Sequence, residues 1–150
     1  MTKQMKMWGG IGLAVLVVAL ASVAYLFRVP LLQRTVDLNG KLTLDIADTP
    51  SARELGLGGR TSMAKDHGMI FVFEKPGIYP FWMKGMHFPL DIVWINQGIV
   101  QEVVNMHAPV NTVVMPDTHV PIHPADRVLE VNAGVAQELG IKPGVRVIGY

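Results

Sequence analysis

The chain has 150 residues and no cysteine, and its 13 basic and 12 acidic side chains give a formal charge of +1. Lacking cysteine, it has no disulfides, thiolate metal sites or cysteine nucleophile. The charge is uneven: Lys3, Lys6, Arg28 and Arg34 fall in the first 34 residues, which hold no acid, whereas from Thr35 onward 9 basic residues face 12 acidic ones, a net of −3. So acidic a domain lacks the footprint that a phosphate backbone requires, and nucleic acid is excluded as an expected partner.

Trp8 to Phe27 is a run of 20 residues without a charge, about the length needed to cross a hydrocarbon core of roughly 30 Å. It predicts a transmembrane signal-anchor over residues 1–29, in contact with the membrane through residues 8–27. The rival reading is a cleaved signal peptide, for which Ala19-Leu20-Ala21 offers a small-residue site. The run continues through Val23, Tyr25, Leu26 and Phe27, longer than a signal core needs. Both readings export the domain to the periplasm or cell surface, although Arg28 and Arg34 nearly balance Lys3 and Lys6 in setting orientation.

Residues 30–34 form a linker, and 35–150 are expected to form a single β-rich domain. Asn39-Gly40 between two alternating runs, Thr35 to Leu38 and Lys41 to Ile46, predicts a hairpin. Thr49-Pro50 predicts a capped short helix that ends at Gly56, Gly58 and Gly59. Short apolar runs at Gly68 to Phe73, Pro80 to Lys84, Leu90 to Ile95 and Ile99 to Val104 predict strands, the last two joined by Asn96-Gln97-Gly98. The proline-rich stretch from Met106 to Pro124 reads as an irregular connection with one short strand at Thr112 to Met115. Strands at Val128 to Val131 and Val145 to Ile148 flank a second short helix at Ala133 to Leu139. With no crossover helix of ordinary length, the pattern predicts a mainly β sandwich, barrel or jelly roll with two short helices.

The densest group of unusual residues runs from Phe81 to Ile92, where Lys84 and Asp91 flank a turn containing Gly85 and Pro89. An ammonium and a carboxylate at one end of a sheet can hold a polar ligand or tune a proton-transfer group; the plainer account is a structural ion pair over a Trp82 and Phe81 core. The residues Gly56-Leu57-Gly58-Gly59-Arg60, Gly68 to Phe73, Phe81-Trp82-Met83-Lys84 with Pro89-Leu90-Asp91-Ile92, and Val128-Leu129-Glu130-Val131 with Ala133-Gly134 resemble, in order, the motifs of domain of unknown function 192. The resemblance covers about residues 35 to 150. The family's pattern reads Leu-Met at Leu57-Gly58 and Asn-Thr at Gly85-Met86, so this chain lacks polar side chains at that second turn. The resemblance implies a compact, mostly β domain, often exported, with no settled activity. Its motif residues map to Arg60, Trp82, Lys84, Asp91 and Glu130.

Those five are the ligand-site candidates: Arg60 and Lys84 as anion or hydroxyl binders, Trp82 as an apolar wall, and Asp91 or Glu130 as a general acid or base if the domain is an envelope enzyme. The alternative is a buried charge network that fixes the fold and binds nothing. His87, His107, His119 and His123, interleaved with Met83, Met86, Met106 and Met115, supply a further alternative, a copper or other metal site. Ser22, Ser51 and Ser62 lack a nucleophile elbow, and Gly56, Gly58 and Gly59 lack the lysine of a phosphate loop. No cofactor is called for. The expected role is a membrane-anchored, extracytoplasmic binding or accessory module for a small polar ligand, a glycan or an envelope protein.

Overall fold

The computed structural model describes residues 35–38, 41–109 and 115–150. The expected membrane segment, the linker and residues Thr112 to Val114 of the expected short strand lie outside the described residues. Among the described residues no helix is long and apolar enough to cross a membrane. Arg34–Tyr150 form one compact unit.

Thr35–Leu38 (β1) and Leu42–Ala47 (β2) pair antiparallel with Leu38 opposite Leu42, the hairpin that Asn-Gly predicts. Thr49 then caps α1 (Pro50–Leu55): its hydroxyl accepts from the Ala52 N–H at 3.2 Å, and Pro50 occupies the first turn, where no N–H is needed. His67–Gly77 (β3) returns parallel to β2, with Asp45 opposite Met69. This pair makes the sheet mixed, where the expectation was a sandwich, barrel or jelly roll without a crossover. A parallel return needs a dozen or more residues but not a long helix, and here six-residue α1 and the turns after it span the distance.

Phe81–Trp82 (β4), Leu90–Asn96 (β5), Ile99–Met106 (β6), Thr118–His119 (β7), Ala125–Asn132 (β8) and the helical turn Val135–Glu138 (α2) complete the unit. The result is mainly β with two short helices. Its sheet is mixed and six-stranded, in the order β1-β2-β3-β8-β5-β6, and β4 and β7 form a separate two-stranded ribbon. The tight turn between β5 and β6 places Gln97 at φ 49° and Gly98 at φ 76°, the paired positive values of a hairpin turn matched to strand twist. The strand expected at Pro80 to Lys84 shortens to two residues, because after Met83 the chain turns, the Met86 N–H closing on the Met83 carbonyl. The strand expected at Val145 to Ile148 reduces to one bridge between Ile99 and Arg146.

Both faces of the sheet are covered. Along β5, Leu90, Ile92 and Trp94 point into one apolar cluster, while Val93 and Ile95 point into the other. Side chains alternate across a strand, so a run buried on both sides reads as continuously apolar. β3 and β8 approach so closely that a Cβ built on Gly68 would stand 2.6 Å from the Glu130 carbonyl oxygen. Only glycine fits there, and that contact fixes the strand carrying Glu130.

Candidate functional site

The register lines up one row of residues across the sheet: Asp45 on β2, Met69 on β3, Glu130 on β8 and Ile92 on β5. Residues opposite one another in a ladder share a face. Glu130 therefore has Met69 and Ile92 as neighbours, both members of the cluster that also holds Phe71, Trp94 and Val128. It is only 5 % exposed, and its Oε2 has no hydrogen-bond partner. Among the described residues one other buried side-chain atom shares that condition, Asn96 Oδ1 in the distant β5–β6 turn. Burial pushes the Glu130 carboxyl up to about 8, with the positive charge of Arg60 pulling partly the other way. At neutral pH Glu130 is thus a neutral carboxylic acid. Arg60 itself is anchored on Asp45, with Nη2 2.8 Å from Oδ2.

Glu130 lines a cleft of about 200 Å³. Its walls are mainly aromatic, drawn from Phe71, Phe73, Tyr79, Phe81 and Trp82 with Pro80 beside them, and its polar lining comes from Arg53, Glu54, Lys84 and Glu130. The walls are braced. Phe81 packs edge-on to Phe71 at 4.9 Å and to Trp94 at 5.9 Å, and Phe73 stacks on Tyr79 at 3.6 Å. The Trp94 indole N–H donates to the Tyr79 carbonyl at 3.0 Å. Strand alternation turns Phe81 inward and leaves Trp82 57 % exposed at the mouth, with the Lys84 ammonium 5.1 Å from its ring centre. The Gly59 N–H donates to the Gly85 carbonyl at 3.0 Å, which ties the turn before Arg60 to the turn after Lys84. Gly85 adopts φ 72°, a conformation open to glycine and asparagine.

Asp91 lies elsewhere. It follows Leu90 and precedes Ile92, so it points to the opposite face of the sheet from Glu130. There its Oδ1 accepts from Asn105 Nδ2 at 2.8 Å, and its Oδ2 accepts from the Gly134 and Ala136 N–H groups at 2.8 and 3.0 Å. Asp91 thereby fastens the start of α2 to β5, and both oxygens are occupied. The expected pairing of Lys84 with Asp91 does not form, nor do Asp91 and Glu130 meet as a two-carboxylate centre. Four of the five candidates, Arg60, Trp82, Lys84 and Glu130, gather at or beside the cleft.

The histidines do not converge. His119 Nε2 is 2.7 Å from Glu102, His107 Nδ1 is 3.7 Å from Asp117, and among the described residues no three His, Asp or Glu side chains form a metal-holding group. Sequence reasoning missed Arg53, Phe73 and Tyr79. Arg53 donates through Nη1 to the Asp48 and Val72 carbonyls at 2.9 and 2.8 Å and lies 5.4 Å from the Phe73 ring centre. Its only sequence signal is a place in the last turn of a capped helix.

Replacing Lys84 by Met is expected to leave the thermal midpoint within a degree or two of the parent's, because an exposed cation over an aromatic ring contributes only about 0.5–1 kcal/mol. A thermal melt checks this. A loss of several kcal/mol would instead mark Lys84 as part of a buried network.

The sequence pattern of domain of unknown function 192, described as an uncharacterized ACR, matches residues 33–149. Comparison with curated proteins yields no match. Among solved structures, a Sinorhizobium meliloti 1021 protein provisionally named a transcription regulator is similar at 37 % identity and a TM-score of 0.63, covering 72 % of this chain and 81 % of its own. A protein of unknown function from Novosphingobium aromaticivorans DSM 12444 is similar at 30 % identity and a TM-score of 0.64, covering 76 % and 83 %.

Proposed function

The chain belongs to domain of unknown function 192, and we propose that it is a membrane-anchored, extracytoplasmic module that binds a small polar ligand in the cleft above Glu130. The observation that carries this reading is the Glu130 carboxyl, buried without a partner for Oε2 in the lining of an aromatic-walled cleft. Buried polar groups in native proteins nearly always have partners, so an exception in the lining of a cleft is where a partner from outside the chain can bind. A few polar groups converging in an otherwise apolar hollow are the usual make-up of a small-molecule site. Anchoring rests on the uncharged run from Trp8 to Phe27.

The name of the Sinorhizobium neighbour raises the question of nucleic acid. Charge argues against it here, since 9 basic residues face 12 acidic ones from Thr35 onward. The enzymatic alternative narrows to Glu130 as a lone general acid, because both oxygens of Asp91 are engaged on the other face.

A thermal-shift screen of the full chain in detergent against sugars, organic acids, amines, amino acids, short peptides and divalent metals tests the reading. A ligand that binds only the folded state raises the midpoint. The expected result is a rise with one class of small organic ligand that Trp82→Ala abolishes. No rise with any class, or a rise indifferent to Trp82→Ala, would move the function away from this cleft and toward a protein partner.

A further inference from the structure

The lining of the cleft also bears on the charge of its occupant. Two cations contribute to it, Arg53 from α1 and Lys84 from the turn after β4, and among the described residues neither is held in an ion pair. Arg53 spends Nη1 on the Asp48 and Val72 carbonyls, which leaves its Nε and Nη2 protons for a further partner. Lys84 rests on the Trp82 ring. Opposing them are exposed Glu54 at the rim and buried Glu130, whose Oε2 meets no donor from the chain. At about 200 Å³ the cleft lies below the usual range of ligand pockets, so its occupant is compact.

Resting on the cleft reading above, we infer that the occupant is a small organic carboxylate with a flat apolar body. One of its oxygens accepts a hydrogen bond from the Glu130 carboxyl, Arg53 and Lys84 neutralise its charge, and its body lies against Trp82 and Phe81. A hydrogen bond from a neutral acid to a carboxylate is charge-assisted and strong where water is excluded. An organic cation fits less well: it would need Glu130 ionised between Met69 and Ile92 while facing Arg53, Arg60 and Lys84. A neutral amide or sugar would use the hydrogen bond and leave the two rim cations without an anion.

The geometry gives the binding a pH dependence. The charged and titratable groups around Glu130 are Arg60 with its partner Asp45 on β2, Arg53 and Glu54 from α1, Tyr79 after β3, and Lys84 after β4. Loss of the Glu130 proton, with its carboxyl at about 8, replaces a donor by a like charge facing the ligand. Affinity for a carboxylate therefore falls as pH rises through that value, by up to tenfold per pH unit.

Benzoate, benzamide and benzamidine share one shape and differ in charge, and calorimetric titration of the full chain in detergent with each, from pH 6.5 to 9.5, separates the cases. The expected result is benzoate bound more tightly than the other two at pH 6.5 and roughly thirty-fold more weakly at pH 9.5. In Glu130→Gln, whose amide still donates but does not titrate, the benzoate profile should be flat, and Lys84→Met should weaken benzoate several-fold at unchanged midpoint. Benzamidine bound best, with affinity rising with pH, would overturn the carboxylate inference and leave the cleft as a small-ligand site. Equal binding of benzamide and benzoate would do the same. Failure of all three to bind also overturns it, and the cleft reading falls with it only if the wider ligand screen is silent or its hits are indifferent to Trp82→Ala.

Discussion

Glu130→Gln is expected to be more stable than the parent at pH 8, by on the order of 4 kcal/mol, and to differ little from it near pH 4.5. The parent's Glu130 sits at about 8 when folded, against 4.5 as its ordinary value. Below 4.5 both folded and unfolded chains hold the proton, and its stabilising share is fully present. Between 4.5 and about 8 the unfolded chain releases the proton while the folded chain keeps it, so parent stability falls with rising pH by about 1.4 kcal/mol per pH unit. Above about 8 both forms are ionised and the loss levels off. Glutamine exchanges one partnerless polar group for another of the same shape and removes the slope. Asp66, whose carboxyl its hydrogen bond with His67 holds low, is common to both proteins and drops out of the difference. Urea unfolding of the two proteins at pH 5, 6.5 and 8 checks this; parallel curves at all three would place the Glu130 carboxyl in contact with water.

Asp91→Ala is expected to cost about 4 kcal/mol at neutral pH, a large share of the 5–15 kcal/mol that holds a typical domain together. The substitution strands the Gly134 and Ala136 N–H groups and frees Asn105, and hydrogen bonds to a charged group contribute about 1.5–3 kcal/mol each. Asp91→Asn keeps an oxygen for the two backbone donors, and Asn105 can turn its amide to accept from the new side chain, so the cost should fall to about half. Ligand affinity in the Glu130 cleft should stay unchanged in Asp91→Asn, because the two carboxyls face opposite sides of the sheet. Chemical unfolding with a parallel ligand titration reads both effects. An Asn variant of full stability that no longer binds ligand would return Asp91 to the site.

Local chemistry carried much of the architecture into the sequence. Thr49-Pro50 and Gln97-Gly98 each belong to a cap or turn whose backbone requirement is met within a few residues, and the strands on either side of Asn39-Gly40 pair as that dipeptide predicts. The parallel pairing of β2 with β3 was not legible, because a six-residue helix is too short to announce a crossover. The β5 residues Leu90 to Ile95 read as a strand, but a run that is apolar throughout does not say which cluster each side chain joins. For that reason Asp91 and Glu130, both acids in buried strands, looked alike in sequence. The partners that separate them lie 43 and 45 residues away in the case of Asp91, and come from the row linking Asp45, Met69 and Ile92 in the case of Glu130.

The neutral acid in the lining of the cleft is tested most directly by ¹³C NMR of the full chain in detergent, labelled at the glutamate side-chain carboxyl carbons and titrated from pH 3 to 10. One resonance is predicted to titrate near 8, to be absent from Glu130→Gln, and to move to still higher pH on addition of benzoate. Glutamates that all titrate in the ordinary range near 4.5 would contradict the account.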